Sequence, residues 1–304
     1  MRKLLYNLRI FSLPLVLIWT LTTPLFNLFL DPYGLLSKPH HDYYSEPNMR
    51  TIKREYISSK ENSHPLLLFS NSRGGVYQIE DKRFYNMSYS MGSPEEFLDD
   101  IKYLLNKNCR VDSVILFLDE TSIFNDYKTH FNQPLRRVYQ LDDFSSILTI
   151  PFSYSKYKSL LYRRKKSIQF FLDSNGHYEY YGFDHINSRF DTISFNHITG
   201  GRANIETAET AWLNLTKFIS AQGIGYSLYI HPLAKGNVES QPYVLFDLNL
   251  LVSSLKEKGL VFQNEVVVME SDSACFYDVS HYTPELADYV FGKKKPTNIS
   301  ADGF

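Results

Sequence analysis

Residues 66–75 read LLLFSNSRGG. Four apolar residues in succession, closed by a Ser-Asn-Ser turn and paired glycines, have the pattern of a short strand buried on both faces. Such a strand can end on serines for two reasons. The turn is an ordinary exit, because Ser, Asn and Gly favour turns, or it presents a hydroxyl at the carboxyl end of a strand, where open α/β sheets place their ligands.

The residues downstream supply the frame for that choice. FYNMSYS (84–90) alternates apolar and polar positions, as a half-buried strand does. SPEEFLDDIKYLLNKN (93–108) carries the signals of a helix start: Ser93 as N-cap, Pro94 at the first helical position and Glu96 to complete a capping box. Phe97, Ile101, Leu104 and Leu105 form its apolar stripe. VDSVILFLD (111–119) is a continuous apolar run, as in a strand covered on both sides. Strand, helix and strand in this order predict a parallel sheet.

The same alternation returns later. ETAETAWLNLTKFISAQGIG sets Ala208, Ala211, Trp212, Leu215 and Ile219 on one helix face, and Gly223 supplies a stop. YSLYIHP reads as a strand, QPYVLFDLNLLVSSLKEKGL as a helix ending at Gly259, and NEVVVME as a short strand or connector. Thr283 and Pro284 announce a last helix. MRTIKREYISS (49–59) reads as a short helix beside the core. Residues 124–200 have few clean periods and read as an insertion with a hairpin turning at Asn175-Gly176. The expected fold is a three-layer α/β/α domain over residues 65–304 with a mostly parallel central sheet.

The amino terminus suggests an address. Arg2, Lys3 and Arg9 precede a charge-free run over residues 10–30, and about 20 mostly apolar residues suffice to cross a bilayer. Basic residues on the amino side put that end inside, and no small-x-small cleavage site follows. One uncleaved membrane anchor is expected over residues 1–30. A Pro-, Gly- and Ser-containing linker and lead-in would then occupy residues 31–64, with the main domain on the far side of the membrane.

Composition narrows the function classes. The formal net charge of −1 gives no global attraction to nucleic acid, and 43% hydrophobic content supports a real core. Cys109 and Cys275 are too few for a disulfide framework and match no metal spacing. They stand as one bridge or two small buried groups, and neither is expected to be catalytic. His40, His41 and Asp42 resemble a weak metal cluster but fit a polar linker better. YRRKK (162–166) reads as a solvated helix face.

Chemistry gathers at the two ends of the domain. A serine hydroxyl is a weak nucleophile without a neighbouring base, and a histidine in that role needs a carboxylate to hold its tautomer. Ser72 follows the first core strand; Asp278 and His281 lie just before the last helix. Loops at one edge of a doubly wound sheet can bring such distant stretches together.

SNSRG early and YDVSHYTPE late resemble the SGNH (GDSL-like) hydrolase superfamily. The style is that of membrane-anchored extracytoplasmic members such as the D-alanyl transfer protein and alginate O-acetylation protein families. That resemblance implies Ser72 as nucleophile, His281 as base and Asp278 as its orienting acid. It implies an oxyanion hole from the backbone N–H groups of Ser72 and Gly92. Ser70 stands where a glycine is common, and Asp119 stands where the third block has a donating Asn, with Asn125 a distant substitute. The hole is then incomplete or served by Asn71. Arg73 is read as holding an anionic group or pairing with a carboxylate, and His231 as lining the site or as structural.

The resemblance implies an esterase or O-acyltransferase without metal or organic cofactor. It would act on acyl groups of a cell-envelope glycan, or on an acylated small molecule, outside a bacterial cytoplasmic membrane. A multispanning membrane O-acyltransferase is a candidate partner. The competing expectation is a catalytically inactive envelope scaffold or glycan-binding protein on the same fold.

Overall fold

The computed structural model describes residues 12, 31, 33–35, 42–43, 47–59, 64–124, 137–139, 170–180, 204–269, 276, 281 and 283–291. In chain order the first elements are β1 (Asp42–Tyr43), α1 (Met49–Ser58), β2 (Leu66–Phe69), β3 (Phe84–Asn86), α2 (Pro94–Asn106), β4 (Ser113–Leu118) and α3 (Thr121–Phe124). A hairpin, β5 (Phe170–Leu172) and β6 (Tyr178–Tyr180), comes next, then α4 (Ile205–Ala221), β7 (Gly225–Ile230) and β8 (Leu233–Ala234). The chain continues through α5 (Lys235–Ser240), α6 (Pro242–Glu257), β9 (Val268–Met269) and α7 (Pro284–Val290).

The central sheet has the order β3-β2-β4-β7 and every pair in it is parallel. Period-two alternation divides its side chains between two cores. Leu67, Phe69, Val114, Leu116, Leu118, Leu228 and Ile230 pack with residues of α1, α2, α4 and α6. Leu68 and Phe117, with Leu66, Ile115 and Tyr229, pack instead with Tyr77 and with Leu286 and Ala287 of α7. The class is therefore α/β, a mostly parallel sheet with flanking helices. The expected helix faces are present: Ala208, Ala211, Trp212, Leu215 and Ile219 are buried along α4, and Gly223 (φ 71°) and Gly259 (φ 90°) follow their helices in left-handed geometry.

Both edges of the sheet are covered, by means the sequence pattern did not show. Residues 84–89 are at most 1% exposed, not half-buried as their alternation suggested. The hairpin lies against them: Asn86 N–H donates to the Asn175 carbonyl at 2.7 Å. Gly176 has φ +75°, and a Cβ there would come within 2.8 Å of the Tyr85 ring. At the other edge a fifth strand is only sketched. Leu228 bridges to Phe262. The side-chain amide of Asn264 then accepts from the Ile230 N–H and donates to the Ile230 carbonyl, both at 2.8 Å. A side chain thus occupies edge groups that would otherwise invite another strand.

Helix α1 packs beside the core through Met49, Ile52, Tyr56 and Ile57 and also carries two basic side chains inward. Arg50 is fully buried, with Nε 3.0 Å from Asp100 and Nη1 3.3 Å from Glu96. Glu96 also accepts from the Ser93 N–H at 3.2 Å, so the capping carboxylate anchors α1 as well. Lys53, equally buried, donates to the Ser88 carbonyl at 2.6 Å, and burial draws its pKa well below the ordinary 10.5. Tyr33, Leu35 and Asn48, within the stretch expected to be linker, are buried, and Asn48 N–H donates to the Tyr33 carbonyl at 2.8 Å. Among the described residues no helix is long and apolar enough to cross a membrane. The run 10–30, apart from Ser12, lies outside them, as do His40, His41, Asn125, the 162–166 run and Cys275. Cys109 is a buried free thiol whose pKa burial raises.

Because Arg50 pairs with buried Glu96 and shares buried Asp100 with Arg54, Arg50→Met should cost about 3–5 kcal/mol, chiefly by stranding Glu96, as removing one partner of a buried ion pair does. Urea unfolding of the variant beside the wild type measures this.

Candidate functional site

From the carboxyl end of β2 the chain moves to β3, and from the carboxyl end of β4 it moves the opposite way to β7. Open sheets form a crevice where successive connections diverge in this manner. The Ser-Asn-Ser-Arg turn stands on one side of it. Asp119 and Glu120 stand on the other, and His231 follows β7.

The turn is fastened from within. Ser70 is 0% exposed, Asn71 5% and Arg73 3%, while Ser72 between them is half-buried. Asn71 is extended (φ −73°, ψ −169°) and caps the 3-10 turn Ser72–Val76, its side-chain oxygen accepting from the Arg73 N–H at 3.0 Å. Its side-chain NH2 donates to Asp119 and, at 3.3 Å, to the Thr121 hydroxyl. Arg73 grips Glu120 with two nitrogens, one of them 2.7 Å from Oε2, and lies 3.6 Å from Asp119. Two-point pairing of a guanidinium with a carboxylate fixes direction as well as charge. Gly74 lets the turn fold back closely: a Cβ there would fall 2.5 Å from the Ser70 hydroxyl oxygen and 2.6 Å from that of Ser88.

Two serine–histidine contacts arise from this one turn. Ser70 Oγ and His231 Nε2 are 2.7 Å apart, and both residues are fully buried. His231 stacks on Phe117 with ring centroids 4.6 Å apart, and burial together with the charge of Arg73 holds its pKa well below 6.5. Ser72 Oγ and His281 Nε2 are 2.9 Å apart, and both residues are half-buried. That contact spans 209 positions of sequence. His281 is delivered by the start of α7, where Thr283 caps the helix by accepting from the Leu286 N–H at 3.4 Å.

The expected nucleophile and base are therefore within hydrogen-bond distance, as acyl chemistry requires. Asp278, the expected third member, lies outside the described residues. The expected oxyanion donor Gly92 is placed differently: its N–H donates to the Tyr89 carbonyl at 3.2 Å. Packing explains the glycine, since a Cβ there would fall 2.7 Å from the Phe97 ring and 2.8 Å from the Ser70 carbonyl oxygen. The Asn71 amide is taken by Asp119 and Thr121, so it holds the turn together and does not face a substrate. Ser72 stands at the first position of its 3-10 turn.

Of the other candidates, Arg73 pairs with carboxylates and Asp119 and His231 support the turn from below. Glu120 was missed by sequence reasoning. Its signal was a lone arginine in a buried glycine-closed turn, facing two acids after the next buried strand. Comparison of the chain with family models, with curated proteins and with solved structures finds no match.

Electrostatics in the crevice set a pH dependence. Burial, and then the neighbouring Glu120 charge, push the Asp119 carboxyl from the ordinary 3.8 to about 6, against the pull of Arg73. Between those values the folded chain holds a proton that the unfolded chain has released. The proton then favours the folded state, so this contribution to stability is lost as pH rises from about 4 to about 6. The wild-type unfolding free energy, minus that of Asp119→Asn, should fall across this window in urea titrations at stepped pH.

Proposed function

We propose that the chain is a serine-dependent esterase or O-acyltransferase of SGNH-like three-layer architecture, acting on acyl groups of a cell-envelope glycan. In this reading residues 10–30 anchor it in a bacterial cytoplasmic membrane with the domain on the extracytoplasmic side. The observation that supports the chemistry is the 2.9 Å approach of Ser72 Oγ to His281 Nε2, at the half-buried rim of a crevice at the sheet's carboxyl edge. His281 takes the hydroxyl proton as Ser72 attacks the acyl carbonyl, and returns it to the departing ester oxygen. The acyl group then passes to water or to a sugar hydroxyl. Asp278, three residues before His281, orients the imidazole and stabilises its charged form. The mechanism calls on no metal or organic cofactor.

A second reading, an envelope scaffold or glycan-binding protein on the same fold, draws support from the Gly92 N–H and the Asn71 amide, both already engaged within the protein. Kinetics distinguish the two. With an activated ester, Ser72→Ala and His281→Ala should each lower kcat by about a thousandfold or more, and the double variant by little more than either, because the pair acts as a unit. Asp278→Asn should lose less, yet still heavily, through the wrong tautomer. Full activity in all of these variants would refute the Ser72–His281 assignment, and a wild type that does not cleave the ester would leave the scaffold reading standing.

The topology has its own check. A reporter joined after residue 45 should be active only in the form that works outside the cytoplasm. Activity of a cytoplasm-dependent reporter at the same position would remove the anchor from the account.

A further inference from the structure

The reading above uses one of the two serine–histidine contacts and leaves the other, Ser70 with His231, without a task. We infer that the sealed Ser70–His231 couple positions the nucleophile turn, which makes His231 a positioning residue acting through Ser70 on Ser72. The inference rests on the proposed Ser72 chemistry and concerns how that hydroxyl is aimed.

Four observations carry it. Ser70 is the last residue to follow the β2 alternation, on the face of Leu66 and Leu68, and Ser72 lies two residues on. Its hydroxyl is 2.7 Å from His231 Nε2, while its carbonyl accepts from the Tyr89 N–H at 3.3 Å. His231 is itself fixed, its backbone N–H donating to the Leu118 carbonyl at 2.9 Å and its ring stacked on Phe117. Gly74 and Gly92 both pass so near Ser70 that neither tolerates a Cβ. Ser70 is thus the pivot on which the turn and the 89–92 loop both rest.

A hydrogen-bonded polar pair in such a place adds little stability over an apolar pair of equal volume. What an apolar pair lacks is direction. The bond sets the Ser70 side chain at one orientation, and with it the exit of the turn. A reacting group displaced by about 1 Å loses about a hundredfold in rate. Burial and Arg73 keep the imidazole uncharged. The support therefore adds no charge beneath the nucleophile.

The test is steady-state hydrolysis of p-nitrophenyl acetate by the purified full-length chain, paired with 15N NMR of the His281 imidazole. His231→Leu should lower kcat about a hundredfold with KM unchanged, and Ser70→Ala should do the same. The double variant should be no worse than either, and His231→Gln, which returns a polar group near the Nε2 position, should regain most of the rate. In His231→Leu the His281 Nε2 signal should move toward its position in Ser72→Ala. An unmoved signal with full kcat in His231→Leu, or in Ser70→Ala should the leucine variant not fold, would overturn the inference. If the wild type does not cleave the ester, the NMR arm decides alone. A moved signal then upholds the positioning role while the hydrolase reading fails, and an unmoved one refutes the positioning role.

Discussion

The buried pairing of Arg73 with Glu120 is the constraint on which the candidate site depends. Arg73 belongs to the turn after β2, and Glu120 to the segment after β4. A guanidinium and a carboxylate with 3% and 1% side-chain exposure cannot be separated without leaving a charge uncompensated in the interior. The turn therefore cannot lift from the sheet at modest cost. Asp119 is drawn into the same group, accepting from Asn71 and lying beside both Arg73 and Glu120. Burial there, and then the charge of Glu120 beside it, outweigh the pull of Arg73, which is why Asp119 holds its proton to an unusually high pH. The ion pair ties together the carboxyl ends of the two strands whose connections diverge, and the crevice keeps its shape for that reason.

On this base the change from strand to 3-10 turn at Asn71 does the sorting. Ser70 keeps to the Leu66 and Leu68 face of the sheet and meets His231. Asn71 and Arg73 are tied to groups beneath, and Ser72 comes to the rim beside His281. One hydroxyl is sealed and the other is accessible, although they are two residues apart in the same turn. The glycines serve this geometry through close approach, Gly74 against Ser70 and Gly92 against both Ser70 and Phe97. The opening ambiguity of a serine-ended strand thus has a physical resolution: both serines are held, and one of them is presented.

Much of the frame was legible in the sequence because it rests on local signals. Pro94 with Glu96, the 3.6-residue stripe from Ala208 to Ile219, and the apolar run at 113–118 each specify their element without help from the rest of the chain. Ser72 and His281 were legible as a pair through chemistry, since a hydroxyl and an imidazole at opposite ends of an α/β chain can meet at one sheet edge. The features missed were those created by tertiary contact. Arg50 and Lys53 look like solvated positions of a polar helix until Glu96, Asp100 and the Ser88 carbonyl surround them. Asn264 has no local mark of its role, because the Ile230 groups it satisfies are 34 residues away. Gly92 fits an oxyanion donor by its place in the sequence, yet the backbone at Met91 (φ 56°) and the bond to Tyr89 turn its N–H elsewhere.

The central claim is that this turn presents Ser72, and not Ser70, as a reactive nucleophile activated by His281. Incubating the chain with a fluorophosphonate and locating the adduct by peptide mass spectrometry tests it most directly. The account predicts one adduct, on Ser72, that disappears in His281→Ala while Ser70 stays unmodified. An adduct on Ser70, or an unmodified chain under conditions that label a serine esterase to completion, would contradict it.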